Sequence, residues 1–136
     1  MKSILKLSLL LFISLIAVSC NSQENKKQNE NSKEISVISP IDFLKMSKSE
    51  LVVDVRTPEE YSEGAIESAL NINFYDENFL DQFANYNKDE PIFIYCRSGG
   101  RSGKAAKKLS ELGFKKVYDL QGGYLNWTKK MSKITE

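Results

Sequence analysis

The chain has 136 residues with 19 basic and 18 acidic side chains, and a formal charge of +1 gives no electrostatic reason to bind nucleic acid. It contains no histidine, which excludes Ser-His-Asp triads, Cys-His pairs and histidine-based metal sites together, and nothing in it calls for a metal or another cofactor. Length and the lack of an internal repeat predict one folded unit.

Lys2 and Lys6 precede an apolar run from Leu7 to Val18, the charged and hydrophobic regions of a signal peptide, too short to favour a membrane span. Ala17-Val18-Ser19 before Cys20 resembles the lipobox of bacterial lipoproteins, with Ala17 where leucine is more usual. That resemblance implies that residues 1–19 are a lipoprotein signal peptide and that Cys20 carries lipid. The domain is then expected outside the cytoplasm, anchored to a bacterial membrane on its periplasmic or cell-surface face. Losing Lys2 and Lys6 takes the formal charge from +1 to −1. Residues 20–34, polar and without an aliphatic or aromatic side chain from Asn21 to Glu34, read as a flexible tether spanning about 20 Å.

Ile35 to Ile38 predicts a first strand, and Ser39-Pro40 a cap and first turn for a helix carrying Ile41, Phe43, Leu44 and Met46. Leu51 to Val55 is a β-branched run suited to a strand covered on both faces, within which Asp54 is the one charge. Thr57-Pro58-Glu59-Glu60 is a capping-box helix start. Leu70 to Ile72 predicts a short strand, and the stripe Phe79, Leu80, Phe83 and Tyr86 predicts a helix over 77–86. Ile92 to Tyr95 is a strand, after which Arg101 opens a helix presenting Ala105, Leu109 and Leu112 to the core, closed by Gly113 and Phe114. Val117 to Leu120 is the last strand, and Tyr124 to Lys130 a final helix offering Leu125 and Trp127 to the core. Alternation of strands and helices predicts an α/β domain over residues 35–132: an open parallel sheet of about five strands flanked by helices on both faces.

Cys96 falls at the carboxyl end of its strand, where open parallel sheets place ligand sites. The helix amide end, a nest of loop N–H groups and the cations Arg97 and Arg101 all favour a thiolate there, and Gly99 and Gly100 let the backbone curl around an anion. With Cys20 lipidated, Cys96 is the one mature thiol, so no internal disulfide forms, and a lone thiol in an oxidising compartment points to reactive use. The alternative is an inert core cysteine. Four residues separate Cys96 from Arg101. That is one fewer than in the cysteine phosphatases, and it makes a cup better matched to a terminal sulfur than to a phosphoryl group. Tyr95 also stands where those phosphatases usually carry histidine.

Cys96-Arg97-Ser98-Gly99-Gly100-Arg101-Ser102 resembles the active-site loop of the rhodanese-like sulfurtransferases. Asp54 to Tyr61 (DVRTPEEY) resembles that family's first signature, and Leu120 to Trp127 (LQGGYLNW) its closing Gly-Gly and Trp motif. Between them Gly64-Ala65-Ile66-Glu67-Ser68-Ala69 departs from the usual Gly-His-Ile-Pro-Gly-Ala. The resemblance implies a single-domain sulfurtransferase: Cys96 takes a sulfane sulfur from thiosulfate or a persulfide, and cyanide or a thiol, small or protein-borne, removes it. It also implies that Arg101 and the amides of Arg97 to Ser102 hold the charged sulfur, that Arg97 helps bind an anionic donor, and that Asp54 and Arg56 support the loop. The competing readings are a tethered, non-catalytic binding module, a phosphatase or arsenate reductase, and one-thiol redox exchange.

Overall fold

A computed structural model describes residues 32–135, so the expected signal peptide, the expected lipidation of Cys20 and most of the expected tether lie outside the described residues. The strands are β1 (Glu34–Ile38), β2 (Leu51–Asp54), β3 (Leu70–Asn71), β4 (Ile92–Tyr95) and β5 (Lys116–Leu120). The helices are α1 (Pro40–Met46), α2 (Pro58–Ser62), α3 (Gly100–Leu112) and α4 (Gly123–Thr135). The five strands form one parallel sheet in the order β1-β5-β4-β2-β3, the architecture predicted from the alternating pattern.

β4 is central, and all four of its side chains are buried. On one face Ile92 and Ile94 join Val53, Val55, Val117 and the α3 residues Ala105, Ala106 and Leu109. On the other, Phe93 and Tyr95 join Phe43 of α1 and Leu120, with Tyr124 and Trp127 of α4 packed against them. A strand buried on both faces must be apolar throughout, which is why Ile92–Tyr95 carries no polar alternation.

Register then places the site. Asp54 lies beside Tyr95, so the segments after β2 and β4 leave the sheet together. The chain turns outward to β3 after β2 and the opposite way to β5 after β4. Cys96 therefore stands at the point where the connections diverge, where open sheets leave a crevice.

Three expectations are corrected. The stripe Phe79, Phe83 and Tyr86 does reach the core, as a ring ladder with Phe79–Phe83 centroids at 5.2 Å and Phe83–Phe114 at 6.1 Å. Residues 77–86 nevertheless form turns around a single 3₁₀ segment, Asp81–Phe83. The Lys88 ammonium takes the carbonyls of Phe83 and Tyr86. Leu125 is 48% exposed while Trp127 packs edge-on against Phe43 at 6.0 Å, so only the tryptophan serves the core. Leu112 is likewise exposed, because the left-handed Gly113 cap (φ 115°) folds Phe114 back into the buried place.

Candidate active site

The loop between β4 and α3 is a cup with sulfur at its floor. Cys96 is 1% exposed, whereas Arg97, Ser98 and Gly100 are exposed around it. The Gly99 N–H donates to Cys96 Sγ at 3.1 Å and the Ser102 hydroxyl at 3.4 Å. Gly99 adopts φ 104°, a conformation costly for any residue with a β-carbon. Burial pushes the Cys96 thiol up, but the Ser102 hydroxyl and the amides of Ser102, Gly99 and Ser98 outweigh it, and the thiol sits below its ordinary pKa. Hydrogen bonds to the charged form therefore prevail over desolvation.

Two α4 amides hold the loop from behind. Tyr124 N–H donates to Cys96 O at 2.8 Å and Leu125 N–H to Arg97 O at 3.1 Å. Those carbonyls are drawn away from the sulfur, leaving N–H groups to face it. Gly123 makes the approach possible: a β-carbon there would lie 2.5 Å from Cys96 O and 2.6 Å from Arg97 C. The closing Gly-Gly motif is thus a clamp on the cysteine loop.

The arginines fall into different surroundings. Arg97 is exposed, and its guanidinium has no hydrogen bond or ion pair among the described residues. Arg101 is held by two hydrogen bonds to Glu60, 2.6 Å and 2.7 Å, and lies over the exposed Tyr75 ring at 5.8 Å. Its charge still interacts with Cys96, which raises the Arg101 pKa after the larger contribution of Glu60. Glu60 also completes the capping box of α2 through Thr57 N–H. Sequence showed only that cap; nothing in local spacing connects Glu60 to a residue 41 positions away.

The Arg101 guanidinium holds the Glu60 carboxyl down, to about 2 from an ordinary 4.5, against partial burial and with help from the Thr57 amide. A depressed folded-state pKa contributes stability above the unfolded value that is lost as pH falls towards the folded one. Urea midpoints between pH 4.5 and 2 should therefore fall more steeply in the native protein than in Glu60→Gln, by about 2 kcal/mol after allowance for solvent screening.

Asp54 and Arg56 form a buried bidentate pair, Arg56 Nη2 to Asp54 Oδ2 at 2.6 Å and Nε to Oδ1 at 2.9 Å. The guanidinium also donates to Gly64 O at 2.6 Å and lies over the Tyr124 ring at 4.3 Å. Its link to the cysteine loop thus runs through Tyr124. In the divergent 64–69 loop, Ile66 N–H donates to Tyr95 Oη at 3.0 Å, Tyr61 Oη donates to Ala69 O at 2.7 Å, and Ser68 takes a left-handed φ of 64°. The missing histidine and Pro-Gly turn leave this loop anchored by three other contacts.

The rhodanese-like domain model matches residues 39–130, taking in the Asp54 signature, the cysteine loop and the Gly-Gly clamp. The chain belongs to the rhodanese-like domain family. It is 38% identical over 87 residues to thiosulfate sulfurtransferase 16, chloroplastic, of Arabidopsis thaliana, covering 57% of this chain and 72% of that one. It is 36% identical over 81 residues to thiosulfate sulfurtransferase GlpE of Shewanella oneidensis, covering 60% and 78%. It spans only 36% of the tRNA uridine(34) hydroxylase of Pelagibacter ubique, at 35% identity and over 82% of its own length. Among solved structures, the rhodanese-related protein of Thermoplasma volcanium superposes with a TM-score of 0.62 at 29% identity, covering 69% of this chain and 91% of that one. This rhodanese-like domain has sulfurtransferase relatives and, among its described residues, one cysteine, Cys96.

Proposed function

We propose that the protein is a sulfurtransferase that moves a sulfane sulfur from thiosulfate or a persulfide to cyanide or a thiol through a Cys96 persulfide. The observation that carries this reading is the donor set on Cys96 Sγ, Gly99 N–H at 3.1 Å and Ser102 Oγ at 3.4 Å, in a loop with only four residues between Cys96 and Arg101, better matched to a terminal sulfur than to a phosphoryl group. Such donors stabilise a sulfur anion before reaction and a persulfide anion after it. The thiolate attacks the outer sulfur of thiosulfate, a Cys96 S–S bond forms, the donor's S–S bond breaks, and sulfite leaves with the electron pair. Cyanide then attacks the terminal sulfur, thiocyanate leaves, and the thiolate returns, so no net proton or electron is consumed. Arg97 draws the anionic donor in. Arg101 joins it as the donor competes with Glu60 for the guanidinium, and the amides of Arg97, Ser98, Gly99, Gly100, Arg101 and Ser102 line the cup. Asp54 and Arg56 keep the strand end and Tyr124 in place behind it.

The lipobox-like Ala17 to Cys20 supports a lipid-anchored, extracytoplasmic setting, which would put the donor and acceptor outside the cytoplasm as well. The protein should release thiocyanate from thiosulfate and cyanide and leave aryl phosphates intact. Aryl phosphate turnover without thiocyanate would favour the phosphatase reading, and neither activity with any sulfane donor would favour a binding module.

A further inference from the structure

β5 carries one acid, Asp119, buried where the strand's other charge, Lys116, is exposed, and the sulfur-transfer steps above make no use of it. Its side chain is 4% exposed, and Oδ1 has no hydrogen-bond partner. No ion pair reaches it among the described residues. It differs in this from the other fully buried acid, Asp54, which has Arg56. Register sets Asp119 between Val37 of β1 and Ile94 of β4, both uncharged. From α3 it faces Ser102, whose hydroxyl lowers the carboxyl's pKa, and Gly103, where a β-carbon would lie 3.8 Å from Oδ2. The same Ser102 hydroxyl donates to Cys96 Sγ. One hydroxyl with a single proton, which also has the Gly99 carbonyl at 3.3 Å, thus stands near two groups that ionise.

We propose that Asp119 is a positioning residue for the Cys96 thiolate, acting through Ser102. Protonated, Asp119 donates to Ser102 Oγ, and the serine proton is left for the sulfur. Ionised, Asp119 accepts that proton, so the sulfur loses a donor and gains a buried like charge nearby. Thiolate and carboxylate therefore disfavour one another, and by reciprocity each raises the other's pKa. The other charge acting on the sulfur is Arg101, which is fixed to Glu60. Burial already pushes the Asp119 carboxyl up, to about 6, against the Ser102 hydroxyl and the Leu120 amide, while the Cys96 thiol is moved the other way, below its ordinary pKa.

The inference rests on Cys96 acting as a thiolate nucleophile, but its test needs no sulfur donor. The rate of Cys96 alkylation by iodoacetamide should rise with pH in two coupled steps in the native protein. In Asp119→Asn, neutral at every pH and still able to donate to Ser102, the rise should become one step with its midpoint about one pH unit lower. Adding Ser102→Ala should remove most of that difference. Superimposable native and Asp119→Asn profiles, or a shift that survives Ser102→Ala intact, would overturn the proposal. If Asp119→Asn fails to fold, the native profile decides, and a single-step rise overturns it. Inertness towards every sulfane donor alongside the shifted profile would instead remove the sulfurtransferase reading and leave the coupling standing.

Discussion

Cys96→Ser should leave the protein folded and lower thiocyanate formation by at least about 1,000-fold, the scale of losing a covalent nucleophile. The fold is expected to survive because serine occupies nearly the same volume at a site that is 1% exposed, and its oxygen accepts from the same Gly99 N–H and Ser102 hydroxyl. The chemistry is lost because those donors depress a thiol into the working pH range but leave an alcohol far above it. Far-ultraviolet circular dichroism and the urea midpoint check the first half, and the cyanolysis rate checks the second. Residual turnover within tenfold of the native rate would mean that sulfur transfer does not pass through this residue.

Arg56→Met should be the most damaging change away from the loop, lowering stability by about 3–5 kcal/mol. The guanidinium is 4% exposed and its partner Asp54 is fully buried. Removing it leaves a carboxylate without a counter-ion and the Gly64 carbonyl without its donor. It also withdraws the cation from the Tyr124 face, 4.3 Å away. A typical domain has only about 5–15 kcal/mol in hand, so a large share of the molecules should be unfolded near 37 °C. Replacing Asp54 by Asn as well should recover about half the loss, since Asn still accepts from the backbone N–H of position 56 and no charge is then stranded. Urea midpoints for the two single variants and the double variant measure this, and a loss under about 1 kcal/mol in Arg56→Met would show that the pair holds little of the structure.

Much of this was legible along the chain because the local signals agreed. Thr57, Pro58 and Glu60 fixed the start of α2, Gly113 and Phe114 the end of α3, and the unbroken run Ile92–Tyr95 the central strand. The stripe in residues 77–86 is a true hydrophobic one whose rings pack without a helix, the Lys88 ammonium taking the carbonyls of Phe83 and Tyr86. At the site, the cysteine, its glycines and the serine stood together in sequence. Glu60 and Gly123 stood in quoted motifs, but their contacts at the site were not readable, since one faces Arg101 only after β2 and β4 pair and the other clamps a loop formed about two elements earlier. Asp119 carried a readable signal, a lone acid in an apolar strand, the same signal that marked Asp54.

The central claim is that Cys96 carries the transferred sulfur. An intact-mass measurement after incubation with thiosulfate, and separately with a low-molecular-weight persulfide, tests it directly. The account predicts a species heavier by one sulfur atom, localised to Cys96, erased by cyanide and missing from Cys96→Ser. Unchanged mass with every donor, while iodoacetamide still alkylates Cys96, would contradict it.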